Sequence, residues 1–226
     1  MPKTKRFNAN REIAARVTEP QAPHEAVKIL KSFKGPKFDQ SIEVCMHLGI
    51  DPRQADQQIR GSVSMPKGVG KSARVVCFCG EDKIEAAKAA GAVEAGGEDL
   101  VKKVQGGWMD FDVAVASPEM MKVVSSLGRV LGPKGLMPSP KAGTVTPDVA
   151  TAVQEYSAGK AEYRNDSGGN IHCIIGKMSF SDADLAENLE FFMETIEKRR
   201  PAAAKGNYIK KCVISGTMTP SVQVAI

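Results

Sequence analysis

The chain is 226 residues long, which leaves room for one or two domains. A hydrophobic fraction of 42% and a charged fraction of 25% are those of a folded chain and exclude wholesale disorder. No run approaches the roughly 20 apolar residues that a bilayer requires, and the net charge of +5 fits an anionic partner or plain solubility equally well.

Residues 1–20 read as a polar, basic lead-in, with Arg11 to Val17 able to form a short helix and no apolar core of the kind a signal peptide needs. Pro23 to Phe33 is a better helix: Ala26, Ile29, Leu30 and Phe33 recur at helical spacing, with Lys28 and Lys31 outside. Gly35 to Lys37 stops it. Ser41 to Leu48 alternates cleanly. Ile42, Val44, Met46 and Leu48 share one face; Ser41, Glu43, Cys45 and His47 share the other, as in a strand with one buried side. Gln58 to Met65 reads as a second strand with Ile59, Val63 and Met65 inward.

The pattern then changes. Ala73 to Cys79 and Phe111 to Ala116 are continuous apolar runs, separated by helix-like Asp82 to Ala90, a short return over Gly91 to Gly97, and helix-like Glu98 to Val104. Ser117-Pro118-Glu119 opens a further helix, with Ser117 as its cap. Buried strands alternating with helices predict βαβ units and a small parallel sheet. Cys77 and Cys79 fall on one strand face as small buried thiols. The five cysteines are odd in number and form no paired zinc spacing, which fits a reducing cytoplasm.

After Pro147 the earlier style returns. Asp148 to Tyr156 is helical. Lys160 to Arg164 and Ile171 to Ile175 read as hairpin strands around the turn Asn165–Gly169. Ser181 to Arg200 is the strongest helix: Ser181 caps it, Asp182 and Asp184 suit its first turn, and Leu185, Leu189, Phe192 and Ile196 form its stripe. Tyr208 to Ser215 and Ser221 to Ile226 close the chain as strands. The reading is therefore a domain of both termini, residues 1–66 and 159–226, with a second domain inserted at 67–158. Charge follows that division: +4 on residues 1–66, zero on 67–158 and +1 on 159–226.

Catalytic and metal signals are weak. Gly68-Val69-Gly70-Lys71-Ser72 ends like a phosphate-binding loop, but Met65 occupies the place of the first glycine, and an apolar strand rather than a helix follows. His24, His47 and His172 have no neighbour at metal-ligand spacing. The stretch from Leu131 to Pro140 is a stiff Gly/Pro-rich connection, with Arg129, Lys134 and Lys141 able to touch phosphate. Ser215 to Ser221 is dense in hydroxyls and carries Met218 at a loop tip; hydroxyls suit ribose, base or phosphate, and Met suits the face of a base or sugar.

Phe38-Asp39-Gln40-Ser41, Leu48-Gly49-Ile50-Asp51-Pro52-Arg53, Leu127-Gly128, Leu131 through Pro138, Tyr163-Arg164-Asn165-Asp166, Ile171-His172, Ile175-Gly176-Lys177 and Thr217-Met218 together resemble the bacterial large-subunit ribosomal protein L-one family. The resemblance covers about residues 3–226 in order. It implies an α/β chain: an α+β terminal domain with a split βαβ sheet, and an inserted Rossmann-like, three-layer α/β domain on a two-strand hinge near Lys67–Lys71 and Tyr156–Lys160. It further implies a cytoplasmic, non-enzymatic ribosomal protein without cofactor, metal or membrane partner, and a monomer when free. Its partners would be large-subunit ribosomal RNA at the mobile stalk beside the tRNA exit site, deacylated tRNA, and its own messenger RNA, whose translation it would repress. Carried over by motif, the RNA contacts fall at Lys37, Phe38, Ser41, Glu43, Arg164, Asp166, His172, Lys177, Ser215, Thr217 and Met218. Ser41 stands where the family usually has Thr. Thr219 stands where it usually has Gly, and a side chain there is expected to crowd a close RNA approach.

Overall fold

The computed structural model describes residues 4–226. The expected lead-in extends into residues 1–3, which lie outside the described residues. The chain divides into two compact units, one running up to Gly70 and resuming as Ala161–Ile226, the other formed by Lys71–Lys160. With these borders the first unit carries 20 basic and 15 acidic side chains and the second 11 of each, so the net charge lies in the first.

The first unit opens with α1 (Lys5–Ala15), α2 (Pro23–Ser32), β1 (Ser41–Leu48) and β2 (Arg60–Val63). The second comprises β3 (Val75–Phe78), α3 (Glu81–Ala89), β4 (Glu94–Gly96), α4 (Glu98–Gln105), β5 (Val113–Ala116), α5 (Met121–Val124), α6 (Gly128–Leu131) and α7 (Val149–Ser157), with short 3-10 turns at Ser125–Leu127 and Pro140–Ala142. The first unit then resumes with β6 (Ala161–Arg164), β7 (Asn170–Lys177), α8 (Asp182–Lys198), β8 (Ile209–Gly216) and β9 (Ser221–Val224).

In the first unit a four-stranded sheet runs in the order β7-β1-β8-β9. β1 is antiparallel to both neighbours, so β7 and β8 are parallel to each other, joined by α8 and split by β1. The alternation of β1 decides which face is buried. Ile42, Val44, Met46 and Leu48 pack with Leu30 of α2 and with Leu185, Leu189, Phe192 and Ile196 of α8 in one core. The opposite face carries neither helix. α8 starts where its sequence says: Ser181 Oγ accepts from the Asp184 N–H at 3.1 Å.

Three local expectations change. α1 begins at Lys5 rather than near Arg11, because Thr4 caps it through the Phe7 N–H. β6 and β7 do not form a regular hairpin. β6 pairs with β2 in a separate two-stranded sheet, and one Asn165–Ile171 bridge is its link to β7. Ser117 does not cap a helix: its N–H bonds Phe78 O as the β5 ladder ends, its Oγ is buried without a hydrogen-bond partner, and α5 starts only at Met121.

The second unit is a three-layer α/β body. Its parallel sheet has the order β4-β3-β5. Val76, Phe78, Ala114 and Ala116 face a core completed by α4, α5 and α6, whereas Val75, Cys77, Cys79 and Val115 face α3 and α7. Two covered faces explain the continuous apolar runs of β3 and β5. Leu131, Leu136 and Met137 of the Gly/Pro-rich connection pack on the first of these cores, which accounts for that stretch as a structural element.

Candidate nucleic-acid interface

The helix-free face of the four-stranded sheet is polar with apolar points. Along β1 it presents Ser41, Glu43, Cys45 and His47, a span of about 20 Å at strand rise. Register then places Lys177, Ile174, His172 and Asn170 beside them on β7, and Ser215, Val213 and Lys211 on β8.

One irregularity shapes this face. Ile42 opposes Gly176 but Glu43 opposes Ile174, so Ile175 is an extra residue in β7. The bulge breaks the period of two. Both Ile174 and Lys177 therefore belong to the outward side, while Ile175 is buried in the core. Lys177 Nζ donates to Ser41 Oγ at 2.9 Å.

Next to this pair, Thr217 N–H and Oγ1 both donate to Ser41 O, at 3.1 and 3.3 Å. The Met218 N–H donates to Oε1 of Gln40 at 2.8 Å. Gln40, only 2% exposed, also accepts at its carbonyl from the Met178 N–H. Asp39 accepts from the N–H and hydroxyl of Ser179. The loop bearing Lys37 and Phe38 is thereby tied to the turn after β7 and the tip between β8 and β9. Phe38 is 51% and Met218 54% exposed.

Midway along β1, His172 Nδ1 lies 3.1 Å from Glu43 Oε1, and its Nε2 3.8 Å from Cys45 Sγ. Partial burial, with the charges of Glu43 and Asp166, raises the Cys45 thiol above its ordinary value. At the far end, Asp166 accepts from the side chain and N–H of Asn170 and from the Gly168 N–H. The bonds from Asn170, then that from Gly168, hold the Asp166 carboxyl below the usual carboxylate range. Asn170 Oδ1 in turn meets His47 Nδ1 at 2.9 Å.

The residues singled out from sequence thus fall into groups. Ser41, Lys177, Thr217 and Met218 converge at one end of the sheet, bordered by the loop of Lys37 and Phe38. Glu43, His172 and Ser215 lie mid-face. Asp166 braces the turn at the other end. Arg164 stands apart, exposed on the β2–β6 ladder opposite Arg60. Sequence reading put Cys45 and His47 on this strand face without assigning them to the interface, and missed Asn170, Ile174 and the buried brace Gln40. Continuing the outward count of β1 onto β7 would have found Asn170 and Ile174; nothing local marks Gln40. Thr219 stands beside Met218 at the same tip. Its side chain turns back onto the chain, where Oγ1 accepts from the Gly216 N–H at 2.9 Å.

No group of three or more metal-ligating side chains, and no helix long and apolar enough to cross a membrane, occurs among the described residues. A model of the ribosomal protein L1p/L10e family matches residues 30–220. The chain is 54% identical over 203 residues to large ribosomal subunit protein uL1 of Nocardioides sp., covering 90% of this chain and 85% of that protein. It is 49% identical to the proteins of the same name from Kosmotoga olearia and Mycobacteroides abscessus, covering 99% and 98% of this chain and 97% and 95% of theirs. These relatives are named as ribosomal proteins, not enzymes. With a family match that covers most of its length and near-full-length relatives at about half identity, the chain belongs to the ribosomal protein L1p/L10e family.

Proposed function

We propose that this chain, a large-subunit ribosomal protein of the cytoplasm, binds large-subunit ribosomal RNA with the helix-free face of its β7-β1-β8-β9 sheet. The convergence of Lys177, Ser41, Thr217 and exposed Met218 at one end of that face carries the reading. It places a cation, hydroxyls and an apolar contact within one footprint, which suits a folded RNA read by shape, ribose and phosphate. The net charge of +5 resides in the same unit. A modest charge fits a structured site better than a tail that coats any nucleic acid.

On the same reading, the protein forms the mobile stalk beside the tRNA exit site, assists release of deacylated tRNA, and represses translation of its own messenger RNA by binding a mimic of the ribosomal site. Filter binding to a stalk fragment of large-subunit ribosomal RNA tests the central claim. A Thr217→Val, Met218→Ala double variant should bind that fragment at least about tenfold more weakly. Unaltered affinity in a folded double variant removes this face from the site. Translation of the protein's own message in a cell-free system, with and without added protein, tests the repressor role.

A further inference from the structure

Of the five cysteines, all within the described residues, Cys77, Cys79, Cys173 and Cys212 are buried. Cys45 is the exception. It sits in the middle of β1 on the helix-free face, where the register sets it opposite His172 of β7 and Val213 of β8. Cys173 and Cys212 are the chain neighbours of those two residues, so strand alternation turns them to the other face, into the core. The sheet therefore lies between Cys45 and the other two thiols of this unit.

The thiol has a base beside it. A carboxylate accepts and cannot donate, so His172 Nδ1, 3.1 Å from Glu43 Oε1, carries the ring proton. The neutral ring then presents a bare Nε2, and that nitrogen lies 3.8 Å from Cys45 Sγ. Nucleophile, base and orienting carboxylate thus follow one another across two strands as Cys45, His172 and Glu43, the arrangement in which an imidazole activates a thiol. Burial and the charges of Glu43 and Asp166 hold the Cys45 thiol above its ordinary value, so the sulfur keeps its proton in the resting protein. Reaction has to begin with transfer of that proton to His172, and Glu43 stabilises the imidazolium that results.

We propose that Cys45 is a modification site, oxidised by a hydroperoxide and then capped by a low-molecular-weight thiol, and that the cap switches off RNA binding by this face. The inference rests on the RNA-binding reading above and goes beyond it by assigning a reactive group and a regulatory chemistry to the middle of the face. In the first step the Cys45 proton passes to His172 Nε2 and the sulfur attacks one peroxide oxygen. The O–O bond breaks, and the leaving oxygen takes the proton back from His172. Sulfur gives up two electrons and becomes a sulfenic acid, while the peroxide is reduced. In the second step the sulfur of the small thiol attacks the sulfenic sulfur. An S–S bond forms, the S–O bond breaks, and water leaves. With no second cysteine on its face among the described residues, Cys45 ends as a mixed disulfide rather than an internal one. A cap that bears carboxylates, such as glutathione, brings bulk and negative charge into the RNA footprint.

The test treats the full chain with hydrogen peroxide and glutathione. Peptide mapping by mass spectrometry should find glutathione on Cys45 and on no buried cysteine. His172→Gln should take it up at least about tenfold more slowly, having lost the base. Filter binding to the ribosomal RNA stalk fragment then compares each protein before and after treatment. The natural chain should bind at least about tenfold more weakly when capped, and dithiothreitol should restore its affinity. Cys45→Ser should bind equally well treated and untreated. Thermal melts identify a variant that fails to fold; if His172→Gln does, the natural chain against Cys45→Ser decides. Absence of the adduct from Cys45 in the folded natural chain, an equal rate in a folded His172→Gln, or undiminished affinity of the capped chain overturns this inference alone. Failure of the untreated chain to bind the fragment overturns the proposed function and the switch with it.

Discussion

Lys177 reaches Ser41 across the β7–β1 ladder, Nζ to Oγ at 2.9 Å, because Ile175 is an extra residue in β7. In a regular strand Gly176 would share the outward face with His172 and Ile174, and Lys177 would point into the core. The bulge converts a buried position into a cation at this end of the face. Glycine is suited to position 176: a Cβ there would lie 2.8 Å from Leu185 Cδ2.

Removal of that cation should have an electrostatic signature. Lys177→Met is expected to weaken binding of the ribosomal RNA fragment by about tenfold and to make the slope of log affinity against log salt shallower by about one. Lys177→Arg should recover the slope and part of the affinity. An unchanged slope in Lys177→Met would remove Lys177 from phosphate.

Asn188 of α8 supports the same bulge from beneath. It is fully buried, donates to Ile175 O at 2.8 Å and Gly68 O at 3.0 Å, and accepts from the Lys67 N–H at 3.1 Å. Asn188→Leu leaves these backbone groups unpaired in the interior. The expected cost is about 2–4 kcal/mol in urea unfolding with the denaturant slope unchanged. RNA affinity should fall as well, since the bulge that orients Lys177 loses its anchor.

Glu43 puts a carboxylate in the middle of a face proposed to meet RNA, 3.1 Å from His172. It opposes any phosphate placed there and penalises RNAs that bring one to that point. Glu43→Gln should therefore raise affinity for an unrelated duplex RNA about twofold to fivefold while leaving or lowering that for the stalk fragment. Competition binding measures the ratio, and an unchanged ratio would assign Glu43 to structure alone.

Buried thiols make stability depend on alkaline pH. Burial raises Cys173 and Cys212 from the ordinary 9.0 to about 12, and the Tyr208 hydroxyl from 10.0 to about 12. Each is an acid whose folded value exceeds its unfolded one. The unfolded chain sheds these protons first, so their stabilising contribution is whole below about pH 9 and is lost as pH rises towards 12. Urea unfolding should give a flat free energy from pH 7 to 8.5 and a decline from pH 9 to 11. Cys212→Ala, whatever its cost at neutral pH, should flatten part of that decline.

Much of this molecule was legible in the order of its residues. The alternation in β1, the stripe and cap of α8, and the apolar runs of β3 and β5 are short-range patterns, each imposed by one buried face or two. The acid–base balance located the net charge, and the spaced Gly, Pro, Thr and Met motifs carried the family resemblance. The pairing of β6 with β2 was not legible, since adjacency in sequence favours a hairpin and only the distant strand decides otherwise. Nor was the bulge at Ile175. An extra residue in one strand has meaning only against a partner's register, and β1 lies well over a hundred residues away. Gln40 and Asn188 read as ordinary polar residues until folding brings the N–H of Met218 to one and the carbonyl of Ile175 to the other. Nothing local in Thr219 announces its bond to the Gly216 N–H. The sequence by itself thus determined the elements, their buried faces and the unit that holds the charge, because these follow from local periodicity. Tertiary structure alone decided which polar groups remain available at the surface, because hydrogen bonds between residues far apart in the chain determine which donors and acceptors are already spent.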